Sequence, residues 1–208
     1  MNTDSKPEFI EIPKAEICLY RNFLHDWEAQ RVYQELIENI AWQQDLIKFY
    51  GRKIPIPRLT AWYGDEGVSY KYSGILMQPH PWTEILSQLK TWIENRISGK
   101  FNSVLLNQYR NGNDSVAWHS DDEPELGKNP TIASLSLGVS RKFEMRSRSQ
   151  PDIDKLEILL NSGDLLIMSG DTQQNWQHQI PKMRKVTESR INLTFRSIIV
   201  SIDRVGIL

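Results

Sequence analysis

Arg190-Ile191-Asn192-Leu193-Thr194-Phe195-Arg196 is the stretch on which the fold turns. Side chains alternate along an extended strand, so Ile191, Leu193 and Phe195 make an apolar face while Arg190, Asn192, Thr194 and Arg196 make a polar one. The plain reading of such a row is a half-exposed antiparallel strand with its polar side in water. A second reading aims fixed donors at a dianionic ligand, because arginine recognises carboxylates bidentately. The strand alone leaves both open.

Working outward, short strand-like runs occupy Val104–Tyr109, Thr131–Val139, Arg141–Met145, Leu156–Leu160, Asp164–Met168 and Asn175–Ile180, with the last strand running on to Ile202. Strands spaced this way by turn residues point to a sandwich or jelly roll. Before Gly99 the period changes. Tyr33, Leu36, Ile37 and Ile40 predict an amphipathic helix over Asp26–Ile40, and Ile85, Leu86, Leu89, Trp92 and Ile93 predict another over Trp82–Ile97. Between them, Pro55, Pro57, Gly51, Gly64 and Gly67 suit short strands and tight turns. Residues 1–20, with Pro7 and Pro13, read as a tail or an edge extension.

At 208 residues the chain has the size of one domain, and 39% hydrophobic content excludes the disordered and collagen-like classes. The net charge of −1 gives no bulk reason to expect nucleic acid. That number is a cancellation, however. Five acids and no Lys or Arg lie between Arg110 and Lys128, whereas Lys48, Arg52, Lys53 and Arg58 fall in an acid-free stretch from Leu46 to Gly64. Further basic groups cluster at Arg141–Arg148 and at Lys182, Arg184 and Lys185. A single cysteine, Cys18, and no secretory leader suit a reducing cytoplasm, or a nucleus in a eukaryote. No apolar run reaches the roughly 20 residues that span a bilayer, so no membrane partner is expected.

Trp118-His119-Ser120-Asp121-Asp122-Glu123 carries the chemistry. A His-x-Asp pair in an extended segment supplies two of the three ligands of a two-histidine, one-carboxylate iron site, and the surrounding acids repel one another unless a cation or water relieves them. A solvated acidic loop is the plainer reading. Of the other histidines, His25 lies by a helix start and His80 between prolines, which leaves His178 as the second imidazole; a packing histidine is the alternative there. Asn107 and Tyr109 share one face of their strand and precede a turn.

Asn107-x-Tyr109, His119-x-Asp121-x-Glu123, His178 and Arg190-x-Asn192-x-Thr194-Phe195-Arg196, in this order, resemble the signature of the AlkB family of iron(II) and 2-oxoglutarate dependent dioxygenases over about residues 45–200. Pro57-Arg58, Tyr63-Gly64-Asp65 and Ser69–Gly74 most resemble the branch that repairs alkylated DNA, above all its animal member acting on double strands. The resemblance implies an α+β fold: a double-stranded β-helix core at 101–208, an N-terminal helix and hairpin extension for nucleotide recognition at 21–100, and a tail at 1–20, together a single domain. It implies Fe(2+), 2-oxoglutarate and O2 as cofactors, with His119, Asp121 and His178 as iron ligands. Arg190, Tyr109 and Asn192 would hold the distal carboxylate of 2-oxoglutarate. Arg196 and Asn107 would approach its metal-binding end, with Thr194 a further candidate.

For substrate, the resemblance implies alkylated DNA, single- or double-stranded, with the methyl of 1-methyladenine or 3-methylcytosine released as formaldehyde. Tyr70 and Tyr72 would stack on the base, Asp122 and Glu123 would contact it, and Phe49 and Tyr50 would stand where relatives carry a wedge for the base gap. A monomer is expected. RNA or protein demethylation on the same scaffold, or a non-catalytic metal-binding jelly roll, are the rival readings.

Overall fold

The computed structural model describes residues 1–49, 51–68, 70–72, 75–97, 99–150 and 152–199, with backbone alone at 48, 49, 70–72 and 75–77. Strands β1 (Pro7–Ile10) and β2 (Glu16–Tyr20) precede helix α1 (Asp26–Asn39). Strands β3 (Leu46–Phe49), β4 (Arg52–Pro55), β5 (Leu59–Gly64), β6 (Tyr70–Tyr72), β7 (Ile75–Met77) and β8 (His80–Pro81) lead to α2 (Glu84–Ile97). There follow β9 (Ser103–Tyr109), β10 (Val116–His119), β11 (Ile132–Gly138), β12 (Arg141–Ser147), β13 (Leu156–Leu160) and β14 (Leu165–Ser169). A short 3-10 turn at Pro124–Leu126, a single helical turn, α3 (Thr172–Asn175), β15 (Trp176–Ile180) and β16 (Arg190–Arg196) complete the described elements.

Eight strands make a major sheet in the order β1-β2-β14-β11-β16-β9-β5-β8, and four make a minor sheet in the order β10-β15-β12-β13. Strands β3-β4 and β6-β7 form two separate ladders. Strand β16 lies inside the major sheet, with Leu193 opposite Leu135 on one side and Leu106 on the other. Its apolar face packs against the helices: Val32 and Leu36 of α1 and Leu86, Leu89 and Ile93 of α2 share a core with Ile191, Leu193 and Phe195. A second core joins the sheets, Tyr109, Ile132, Leu166 and Met168 from one meeting Phe143, Met145, Ile158, Leu160 and Trp176 from the other. At about 25 cal/mol per Å² of apolar surface, these two cores supply the main drive to this layering.

The solvent-facing reading of β16 is overturned. Arg190, Asn192 and Thr194 are buried like their apolar neighbours, because helices cover one side of the strand and the sheet-to-sheet interior encloses the other.

Of the two readings of residues 1–20, a tail or an edge extension, β1 and β2 form the second, at one edge of the major sheet. Strand β2 pairs with β14, and its Ile17 and Leu19 are core residues. Strand β5, from the expected extension, pairs along its length with β9 of the expected core. Helix α2 starts at Glu84 rather than Trp82, and β16 ends at Arg196. Among the described residues no helix is long and apolar enough to cross a membrane.

Candidate active site

Strands β10 and β15 pair with His119 opposite His178, which brings the two rings to 4.2 Å between centroids. Asp121, two residues past the end of β10, places Oδ2 3.8 Å from His178 Nε2. One ligand atom from each of the three lies within 4.8 Å of the others. His119 Nδ1 is 2.8 Å from the Ala117 carbonyl oxygen. A carbonyl only accepts, so Nδ1 carries the proton and Nε2 keeps a free lone pair.

Burial alone would raise the Asp121 carboxyl, but the Arg196 guanidinium and both imidazoles outweigh it and hold the group below its ordinary value. Arg196 donates to Asp121 Oδ1, which leaves Oδ2 toward the histidines. Burial, with His119 adding to it, pushes the His178 imidazolium down to about 3. His178 and Asp121 are therefore a neutral base beside an anion, and not an ion pair. Two imidazole nitrogens and one carboxylate oxygen on one side of a cluster form the donor set of a facial iron(II) site.

The polar face of β16 continues inward from this cluster. Arg190, 1% exposed, donates Nη2 to Ser136 Oγ at 2.9 Å and lies 5.3 Å from the Tyr109 ring centroid. Its Nε and Nη1 are buried without partners. Burial pushes Arg190 down to about 10 in spite of Tyr109 beside it, and burial raises the Tyr109 hydroxyl against three nearby arginines. A buried guanidinium with two idle donors is costly unless an acceptor arrives, and a carboxylate is acceptor-only. The residues present thus fit both iron(II) and the distal carboxylate of 2-oxoglutarate.

The remaining expected residues fall as follows. Asn192 donates Nδ2 to Ser134 Oγ at 2.8 Å and to the Leu135 carbonyl at 3.1 Å, and Thr194 Oγ donates to Asn192 Oδ1 at 3.1 Å. Register sets Asn107 opposite Asn192, and its Oδ1 accepts from Arg58 Nε at 2.7 Å. Arg190 and Arg196, six residues and about 20 Å apart along a strand, meet different partners, Tyr109 and Asp121.

Asp122 forms an ion pair with Arg148 at 2.6 Å, whereas Glu123 Oε2 is buried without a partner. His25 and His80 are exposed and are not part of the His119–Asp121–His178 group. Tyr50, and the side chains of Phe49, Tyr70 and Tyr72, lie outside the described residues.

Several site residues escaped sequence reasoning. Arg141 is fully buried, 5.5 Å from the Tyr109 ring, and donates to the carbonyls of Asn111, Asp114 and Pro181. Its signal was available: it shares a face with Phe143 and Met145, so a charge stands on an apolar face. Arg58, Ser134, Ser136 and Gln173 carry no such mark. Elsewhere on the minor sheet, the Arg146 guanidinium lies 4.4 Å over the Trp118 ring, and Arg146, Arg148 and Lys155 line a cavity of about 330 Å³ that has no acidic lining residue.

Residues 16–196 match the family model described as the 2OG-Fe(II) oxygenase superfamily. The chain belongs to this superfamily. Within it lie AlkB relatives. "Alpha-ketoglutarate-dependent dioxygenase alkB homolog 3" of Homo sapiens is 44% identical over 192 residues, covering 88% of this chain and 66% of the relative. "DNA oxidative demethylase ALKBH2" of Homo sapiens is 34% identical over 193 residues, covering 88% and 74%. The chain thus spans about two thirds of the length of the alkB homolog 3 proteins. The solved structure of OsALKBH1 superposes with a TM-score of 0.63 at 18% identity over 92% of this chain and all of that one. That likeness, with the family match, makes the two-sheet architecture a jelly roll.

Proposed function

We propose that this AlkB-family chain is an iron(II) and 2-oxoglutarate dependent enzyme that removes alkyl groups from ring nitrogens of nucleic-acid bases, 1-methyladenine and 3-methylcytosine in DNA being the substrate type. The observation that carries the reading is the His119–Asp121–His178 cluster continuous with a buried Arg190 that has two idle donors. The relatives' names, one of them a DNA oxidative demethylase, support the substrate class.

Iron(II), 2-oxoglutarate and O2 supply the oxidation, in which 2-oxoglutarate becomes succinate and CO2 and the N-methyl carbon leaves as formaldehyde. The chain's own residues bind and aim. His119 and His178 offer imidazole nitrogens, Asp121 one oxygen, and Arg196 holds the other oxygen of that carboxylate. Arg190 receives the far carboxylate of the cosubstrate, with Tyr109 and Asn192 shaping the wall.

A methylated base whose pairing is blocked is cheap to extrude from the stack. The idle Oε2 of Glu123 suits a base bearing positive charge, and Asp122 joins it when released from Arg148. Residues 21–100 form the recognition side in this reading, with Tyr70 and Tyr72 stacking on the base and Phe49 and Tyr50 filling the gap it leaves. The cavity lined by Arg146, Arg148 and Lys155 suits a phosphodiester backbone.

Purified chain with Fe(II), 2-oxoglutarate and oligonucleotides bearing 1-methyladenine, in single and double strands and in RNA, tests this directly. Formaldehyde and succinate in equal amounts are expected with DNA. Turnover of RNA or of a methyl-peptide alone would replace the substrate assignment, and absence of 2-oxoglutarate turnover with every substrate would leave a binding protein.

A further inference from the structure

We infer that Gln173 is a positioning residue for the metal-binding carboxylate. The inference rests on the iron-site reading above and adds to it a residue on neither ligand-bearing strand. Gln173 is 1% exposed, on the single turn α3 just ahead of β15. Its Oε1 accepts the backbone N–H of Asp121 at 2.9 Å, a buried contact spanning 52 residues of sequence. The other end of the amide, Nε2, meets only the Met168 sulfur at 3.5 Å, a weak acceptor.

A second tie runs parallel to it. Ser120 Oγ donates to the Trp176 carbonyl at 2.9 Å. The segment carrying His119 and Asp121 is therefore fastened at two points to the segment that leads into His178. Asp121 lies beyond the end of β10, where no ladder bond orients it, so Gln173 does for its backbone what strand pairing does for His119. Outer contacts that orient ligands commonly affect metal affinity by about 10–100-fold.

Gln173→Met keeps the length of the side chain and removes the acceptor. Binding of Co(II) to the purified chain, read by titration and by the visible absorption of the bound ion, requires no turnover. The expected result is a Kd raised roughly tenfold with an altered Co(II) spectrum; Ser120→Ala moves the Kd in the same direction. Leu89→Ala, in the core under α2 and remote from these ties, controls for lost stability and should leave the Co(II) Kd and spectrum as in wild type. Should Gln173→Met fail to fold, Ser120→Ala carries the test by the same readouts. Wild-type Co(II) affinity and spectrum in Gln173→Met, or an equal loss in Leu89→Ala, would overturn the positioning role. Failure of the wild-type chain itself to bind Co(II) would instead remove the iron-site reading on which it rests.

Discussion

Arg190 and Tyr109 are register partners on β16 and β9, and the guanidinium lies 5.3 Å from the ring centroid with Nε and Nη1 buried and idle. Before an anion arrives this cation is uncompensated, and removing such a charge in favour of an apolar side chain of similar length is often neutral or stabilising. Arg190→Met is therefore expected to melt at or above the wild-type temperature when ligand-free. It should also lose the stabilisation that 2-oxoglutarate gives the Co(II)-loaded protein, about 2.7 kcal/mol at a hundredfold excess over Kd for wild type. Thermal denaturation with and without 2-oxoglutarate reads both effects. A variant that 2-oxoglutarate still stabilises would reassign Arg190 to a structural role.

The three proposed ligands should separate when stability is measured without metal. His119 is half-buried and its ring bonds to the Ala117 carbonyl, so His119→Ala should cost no more than about 1 kcal/mol. Asp121 is 2% exposed and holds Arg196, whose side chain is 17% exposed and whose Nε already lacks a partner. Asp121→Ala strands that cation and should cost about 3 kcal/mol, the low end for a broken buried pair because Arg196 keeps some contact with water. Urea unfolding of the metal-free variants checks the order, and both should lose Co(II) binding. Equal stability losses would mean that Arg196 does not depend on Asp121.

The apolar row of β16 was legible because alternation is imposed by strand geometry whatever surrounds it. The burial of its polar row was not, since a strand covered on both sides by other layers has the same alternation as one with a face in water. The His-x-Asp motif and His178 were readable as residue types, but their meeting depends on the β10–β15 pairing across a long stretch of chain. Strands β1 and β2 are too short to show a period, and only the pairing of β2 with β14 and of β1 with β2 makes them sheet. Gln173 and Ser136 were hidden for another reason: a buried polar side chain is defined by its partner, and the partner comes from elsewhere in the chain.

His178 makes the metal-free protein sensitive to acid. Unfolded, its imidazole takes up a proton near 6.5; folded, burial delays this to about 3. Between those values the unfolded chain binds the extra proton, so stability is full above pH 6.5 and declines as pH falls toward 3, by at most about 1.4 kcal/mol per pH unit from this residue. The lowered Asp121 carboxyl acts in the same direction, but only below its own ordinary value of 3.8. Urea midpoints measured from pH 7 to pH 5 should thus fall in wild type and flatten in His178→Gln. Parallel slopes in the two proteins would show that the imidazole is not held neutral by the fold.

Gly112 joins two loops around the proposed cosubstrate pocket. Its N–H donates to the Val186 carbonyl and its own carbonyl accepts from Met183 N, both at 2.8 Å. A Cβ at this position would fall 1.8 Å from the Met183 carbonyl oxygen and 2.9 Å from that of Val186. Backbone on both sides leaves no flexible side chain to move, so Gly112→Ala must part the loops, at a cost of about 1–3 kcal/mol. The same loops supply the carbonyls of Asn111, Asp114 and Pro181 that hold Arg141 beside Tyr109. Parting them loosens the wall of the pocket and leaves the His119–Asp121–His178 cluster in place. Gly112→Ala is therefore expected to lower the urea midpoint and to raise the KM for 2-oxoglutarate severalfold, with Co(II) affinity unchanged. If KM stays at the wild-type value while the midpoint drops, the loops serve the fold and Arg141 has no part in cosubstrate binding.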